Sequence, residues 1–100
     1  MKRWVAVELA LATGPLRLVG QIETNLLRSL AAARPPLFLA FENMMCQSAA
    51  GWEIWPAGLP GATGSVSFGR DRIEAIHSLR EAGAIYERIW NELLAAAPAD

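Results

Sequence analysis

Two runs of alternating apolar residues lie between Trp4 and Ile22, and they constrain the fold of this chain more than any other feature. The residues that share one face are Val5, Val7, Leu9 and Leu11 in the first run and Leu16, Leu18, Gly20 and Ile22 in the second. The turn-forming segment 12–15 separates the two runs. Alternation with a period of two is typical of half-buried strands, so the pattern predicts a β-hairpin with one face against a core.

Gly20 interrupts the second run at a position that would otherwise carry an apolar side chain. A glycine inside a strand marks a sharp bend or a place where another backbone approaches closely. The sheet is therefore expected to be strongly curved.

The middle of the chain predicts one short helix and one central strand. Residues 24–34 are good helix formers with Thr24 as a candidate N-cap, and Pro35 ends the segment because the residue before a proline avoids the helical region. The nearly continuous apolar run 37–41 predicts a strand that is covered on both sides.

Residues 47–64 contain many turn formers and only one segment of strand character, 52–55. A long loop in a small domain often forms a binding surface, so this stretch is a candidate for one. A strand is predicted for residues 65–68, whereas residues 71–79 fit either a helix or a strand.

Residues 80–97 carry a wide apolar stripe at helical spacing and predict a C-terminal amphipathic helix. A chain of 100 residues is one domain, with residues 4–78 forming the sheet and residues 80–96 the helix.

Composition suggests that this domain does not work alone. Apolar residues make up 53% of the chain and charged residues 19%, compared with about 45–50% and about 25% in typical domains. Tryptophan is enriched at the centres of interfaces, and the chain has four. We therefore expect a homo-oligomer, a dimer or a ring, with an interface formed by Trp52, Trp55, Tyr86, Ile89, Trp90 and Leu93.

The net charge and the number of cysteines indicate which partners and which cellular compartment to expect. The net charge of -1 gives no overall attraction to phosphate or to an anionic membrane surface. Cys46 is the only cysteine, so no disulfide forms within the chain and the cytoplasm is the expected compartment. Glu8 interrupts the apolar N-terminal stretch, which argues against a secretion signal, and no stretch reaches the ~20 apolar residues of a membrane span.

The segment 64–76 resembles the second motif of Sm-like proteins. That motif has an apolar residue, an Arg-Gly pair and a later Ile; this chain has Phe68, the reversed pair Gly69-Arg70 and Ile76. Segments 18–22 and 38–43 resemble the bent second strand and the third strand of the same family. The resemblance implies a five-stranded, strongly bent barrel, and such barrels join edge to edge into rings. The insertion 24–36 stands where the family carries its base-binding Asp and Asn, so the RNA chemistry of the family does not carry over.

Residues suited to catalysis do not cluster in the sequence. His77 is the only histidine, and no closely spaced pair of metal ligands accompanies it or Cys46. The glycines of segment 58–64 lack the lysine that a phosphate loop requires. We therefore expect no enzyme activity, no cofactor and no metal site.

Two other functions compete with self-assembly. Arg70 and Arg72 would share a strand face beside Phe68 and could contact RNA, which predicts an affinity that falls steeply with salt. A pocket lined by tryptophan with Met44 and Met45 could instead bind an apolar small molecule.

The sequence as a whole predicts a mainly β fold, a small, strongly bent, five-stranded Sm-like barrel with an inserted short helix and a C-terminal helix. The alternative is an α+β fold in which an antiparallel sheet carries two helices. The predicted function is a non-enzymatic, self-assembling binding or scaffold module that uses an apolar, tryptophan-containing surface.

Overall fold

The computed structural model describes residues 1–56 and 65–96. In chain order the elements are β1 (Lys2–Leu11), β2 (Gly14–Glu23), α1 (Thr24–Ser29), β3 (Phe38–Ser48), β4 (Gly51–Ile54), β5 (Val66–Gly69), β6 (Ile73–Ser78) and α2 (Gly83–Ala96). Short 3-10 turns at Arg70–Arg72 and Arg80–Ala82 precede β6 and α2.

The described strands form one antiparallel sheet in the order β4-β3-β2-β1-β6, and β5 pairs with the first half of β3. The predicted count of five strands is wrong, because the described residues alone form six. The sheet is also not closed, since β6 pairs only with β1 among the described strands. The architecture is thus the α+β alternative, an antiparallel sheet with two helices.

The predicted hairpin forms as expected. β1 and β2 pair along their whole length, from Lys2 opposite Glu23 to Leu11 opposite Gly14. Gly14 closes the turn in a left-handed backbone conformation, which glycine adopts without steric cost. One side of the hairpin then contributes the fully buried residues Val5, Val7, Leu9, Leu18 and Ile22.

These hairpin residues form the first of two cores, together with Leu39, Phe41 and Met44 of β3. Helix α1 covers this core with Leu26 and Leu27, and Leu30, directly after the helix, packs there as well. The helix is shorter than residues 24–34, and Thr24 is its first residue instead of its N-cap. The Thr24 backbone N–H and the Thr24 hydroxyl both donate to the Met1 carbonyl, so this residue ties α1 to the start of β1.

The second core lies on the opposite side of the sheet, which we call the helix face because α2 packs on it. Trp4, Val19 and Met45 of the sheet bury the indole of Trp90 from α2. The Trp4 Nε1–H donates to the Glu87 carboxylate at 2.9 Å, so its polar atom is satisfied although the ring is buried.

A bulge in β3 lets both cores draw on this strand. The register between β2 and β3 shifts by one residue between Val19 opposite Met45 and Gln21 opposite Glu42. Asn43 takes a positive φ of 53° at the shift. As a result Phe41 and Met44, three positions apart, both reach the first core, while Met45 faces the second.

The ambiguous segment 71–79 forms the 3-10 turn and then strand β6, which pairs with β1 from Val5 opposite Ser78 to Leu9 opposite Ile73. The strand interpretation was correct because the β1 edge supplies backbone partners for this segment. Residues 80–96 are helical except that their first turn is a 3-10 turn.

Candidate functional site

The residues predicted to form an interface pack mostly within the chain. Trp90 is only 3% exposed, and half-buried Trp52, Tyr86, Ile89 and Leu93 pack around it on the helix face. The rings of Trp52 and Tyr86 meet edge to face, with centroids 5.8 Å apart and planes at 86°. The structure therefore brings these five residues together, in the contact between α2 and the sheet.

Trp55 lies apart from the other predicted interface residues. It is half-buried against the first core, and its ring centroid is 5.8 Å from that of Phe68. Residues 57–64, the remainder of the loop predicted as a binding surface, lie outside the described residues.

The large apolar side chains that face solvent are found elsewhere. Leu37 is 71% exposed and Phe38 is 66% exposed, and we call these two residues the Leu37–Phe38 patch. The prediction of a strand covered on both sides was wrong at this end of β3. The proline pair that precedes the patch and, for Phe38, the alternation with buried Leu39 and Phe41 were the signals that could have indicated exposure.

Backbone contacts hold the patch in place. Phe38 lies opposite Gly69 in the β3–β5 ladder. The Arg70 backbone N–H donates to the Leu37 carbonyl at 2.8 Å, and the Arg70 guanidinium donates to the Pro35 carbonyl at 3.0 Å. The two exposed side chains are thus presented by an ordered backbone at the end of β5.

The three residues suggested for nucleic-acid contact lie at the end of β5 and in the 3-10 turn that follows it. Arg70 is engaged with Pro35, and Phe68 is half-buried with its ring centroid 6.0 Å from that of Phe41. Arg72 is exposed in the 3-10 turn. The exposed ring of Phe38 lies opposite Gly69, the residue before Arg70, so contact with RNA at these arginines stays a prediction.

A groove of about 440 Å³ opens on the helix face beside α2. Ala6 and Val19 form its floor, and the side chains around it are Glu8, Arg17, Gln47, Trp52 and His77. Arg17 lies opposite Glu8 in the hairpin, and its Nε–H donates to the Glu8 carboxylate at 3.3 Å. His77 lies opposite Ala6 on the other side of β1.

Sequence reasoning missed Glu8, Arg17 and Gln47 as parts of a site. The hairpin register, which follows from the turn at residues 12–15, would have placed Glu8 opposite Arg17. The groove does not include Met44 and Met45, which are buried in the two cores. The predicted methionine-lined pocket is therefore replaced by a groove with a polar rim.

Cys46 and His77 lie on opposite sides of the sheet. Cys46 packs against the first core, whereas His77 lines the groove on the helix face. Burial, and then the nearby negative charge of Glu53, raise the pKa of the Cys46 thiol. The thiol is thus protonated at neutral pH and has no imidazole beside it.

In the described part of the chain, no group of three or more His, Cys, Asp or Glu side chains could hold a metal ion. Among the same residues, neither helix has the length and apolar character needed to cross a bilayer. Comparisons with protein-family models, with curated proteins and with solved structures found no match.

Proposed function

We propose that this chain is a non-enzymatic binding module that assembles with copies of itself through the Leu37–Phe38 patch and the adjoining edge of β5. The observation that carries the proposal is the pair of neighbouring large apolar side chains that are 71% and 66% exposed. Burying such side chains contributes about 1.5–3 kcal/mol each, so a contact that covers them on two copies is favourable.

The edge of the sheet supports the same contact. β5 pairs only with β3 among the described strands, so within the described part of the chain its outer edge has no strand partner. An unpaired edge next to exposed apolar residues is a template for another strand. The hydrogen bonds that the Arg70 backbone N–H and guanidinium donate to Leu37 and Pro35 order the patch before association, which lowers the entropy cost of binding.

Kinship with Sm-like proteins is part of this proposal. It rests on the sequence resemblance of segments 18–22, 38–43 and 64–76, and it is supported by the position of Gly20 within β2 at the β3 bulge. The resemblance favours assembly through strand edges, either as a dimer or as a ring.

The molar mass in solution tests the proposal. Light scattering on the purified chain should give a multiple of the 10.8 kDa protomer mass. The double substitution Leu37→Ser and Phe38→Ser should reduce the mass to that of one protomer. Ile85→Ser is the matched control, because Ile85 is 56% exposed on α2, away from the patch, and its loss should leave the mass unchanged.

Two results would contradict the proposal. One is a protomer-sized particle at millimolar concentration of the unsubstituted chain. The other is an assembly that survives the double substitution in protein whose circular dichroism is unchanged, because the contact would then lie elsewhere.

A further inference from the structure

The groove on the helix face has the size and lining of a small-ligand site. Its volume of about 440 Å³ falls within the range of about 300–1,000 Å³ that is typical of ligand pockets. The small side chain of Ala6 creates the depth, since its cross-strand neighbours Val19 and His77 are larger. The floor is thus apolar, and the polar groups stand at the rim.

One wall of the groove is a flat aromatic surface. Trp52 lines the groove, and its ring is held in place by the edge-to-face contact with Tyr86 of α2. A braced ring of this kind stacks on a planar ligand without losing further side-chain freedom. The ligand that fits this wall has a flat apolar body.

Hydrogen-bond donors at the rim outnumber acceptors. Arg17 uses only its Nε–H, for Glu8, so its terminal N–H groups have no partner within the described residues. Over the same residues, no hydrogen bond engages the Gln47 amide, the Trp52 Nε1–H or the His77 ring. The one carboxylate at the rim, Glu8, already accepts from Arg17.

We propose that this groove binds a small planar aromatic carboxylate. The ring lies on Ala6 and Val19 against the Trp52 indole, and the carboxylate accepts the free N–H groups of Arg17. Arg17 supplies the positive charge for this orientation, since its terminal N–H groups have no hydrogen-bond partner within the described residues and its side chain is 86% exposed. The proposal does not depend on self-assembly through the Leu37–Phe38 patch.

Calorimetric titration with 2-naphthoate, a simple member of this ligand class, tests the proposal. We expect saturable binding of one molecule per chain. Arg17→Gln should weaken it by at least about tenfold, the effect of losing a hydrogen bond to a charged group. Arg34→Gln is the control, because Arg34 is an exposed arginine outside the groove and should not affect binding.

Two further measurements test whether the groove prefers an anionic or a cationic ligand. Glu8→Gln removes the competing acceptor from Arg17, so the affinity for 2-naphthoate should stay the same or rise. The neutral 2-naphthamide and the cationic 2-naphthylmethylamine should both bind at least about tenfold more weakly than the carboxylate. Tighter binding of the amine, or weaker binding of the carboxylate to Glu8→Gln, would overturn the proposal.

A substitution that fills the groove tests whether the ligand binds there. Ala6→Leu places a larger side chain on the floor and should abolish binding of 2-naphthoate. Ala10→Leu is its control, because Ala10 lies on the same face of β1, is also half-buried and does not line the groove. Unchanged binding in a folded Ala6→Leu variant, or no saturable binding to the unsubstituted chain, would also overturn the proposal.

Discussion

Gly20 lies where β2 meets the bulge of β3, and its missing side chain makes room for the bulge. A Cβ atom there would be 3.1 Å from Met44 Cγ and 3.2 Å from the Glu42 carbonyl oxygen. The methionine side chain can move, whereas the carbonyl belongs to the backbone. The close backbone approach predicted at this glycine is confirmed.

Gly20→Ala should therefore destabilise the fold by about 1–3 kcal/mol, because the added methyl group forces β3 outward. The free energy of unfolding in urea measures the effect. Gly83→Ala is the control, since a Cβ atom there would meet only Trp4 Cδ1, at 3.9 Å. An equal free energy of unfolding for the two variants would contradict this prediction, because β3 would then move outward without loss of stability.

The Cys46 thiol is a second residue whose behaviour follows from its surroundings. Burial and Glu53 raise its pKa, so the folded chain holds the thiol proton to higher pH than the unfolded chain does. Stability from this group is present below the unfolded thiol pKa and is lost as pH rises through the folded value.

Alkylation of Cys46 by iodoacetamide should accordingly be slower in the folded chain than in urea at pH 8–9, and its rate should rise at higher pH. A pH series of alkylation rates, measured by mass spectrometry, gives the thiol pKa in the folded chain and in the unfolded chain. Equal rates in the folded and unfolded chain would contradict the expected shift.

At the scale of elements, α2 covers the helix face through one central side chain. Trp90 contacts residues of β1, β2 and β3, and the hydrogen bond from Trp4 to Glu87 fixes the helix one turn earlier. Two of the tryptophans predicted at an interface, Trp52 and Trp90, thus lie in the contact that attaches this helix to the sheet.

Trp90→Ala should lower the free energy of unfolding by about 3–5 kcal/mol, as expected for a large side chain removed from a core. Ile85→Ala on the same helix should change it by no more than about 0.5 kcal/mol, because Ile85 is mostly exposed. Thermal and urea unfolding of the two variants provide the comparison. A small effect at Trp90 would mean that α2 packs only loosely on the sheet.

At the scale of the whole molecule, one sheet is covered on each side by one helix, and the Leu37–Phe38 patch lies outside both cores. Any assembly through this patch links folding to association, because a contact made only by the folded chain stabilises it by mass action.

The midpoint of thermal unfolding should therefore rise with protein concentration for the unsubstituted chain. The double substitution Leu37→Ser and Phe38→Ser should remove this dependence while the midpoint at low concentration stays nearly the same. Differential scanning calorimetry over a hundredfold range of concentration measures both. A midpoint independent of concentration would argue against association in the folded state.

Local patterns in the sequence were sufficient for the hairpin, the close backbone approach at Gly20, the strand at β5 and the C-terminal helix. Each depends on periodicity or on backbone freedom, which neighbouring residues determine. Residues 71–79 could not be assigned locally, because a helix and a strand bury similar subsets of their apolar residues. The free edge of β1, which is distant in sequence, selected the strand.

The groove and the exposed patch arise only when distant segments meet. Glu8 and Arg17 come from one hairpin, but Gln47, Trp52 and His77 come from three other strands whose positions depend on pairing order and on the β3 bulge. The same bulge and the packing of α2 decided that Trp90 is buried, while Leu37 and Phe38 are left in solvent. Composition predicted that some apolar surface would stay exposed. Only the tertiary structure decided which apolar residues are exposed, because the burial of a side chain depends on neighbours that are remote along the chain.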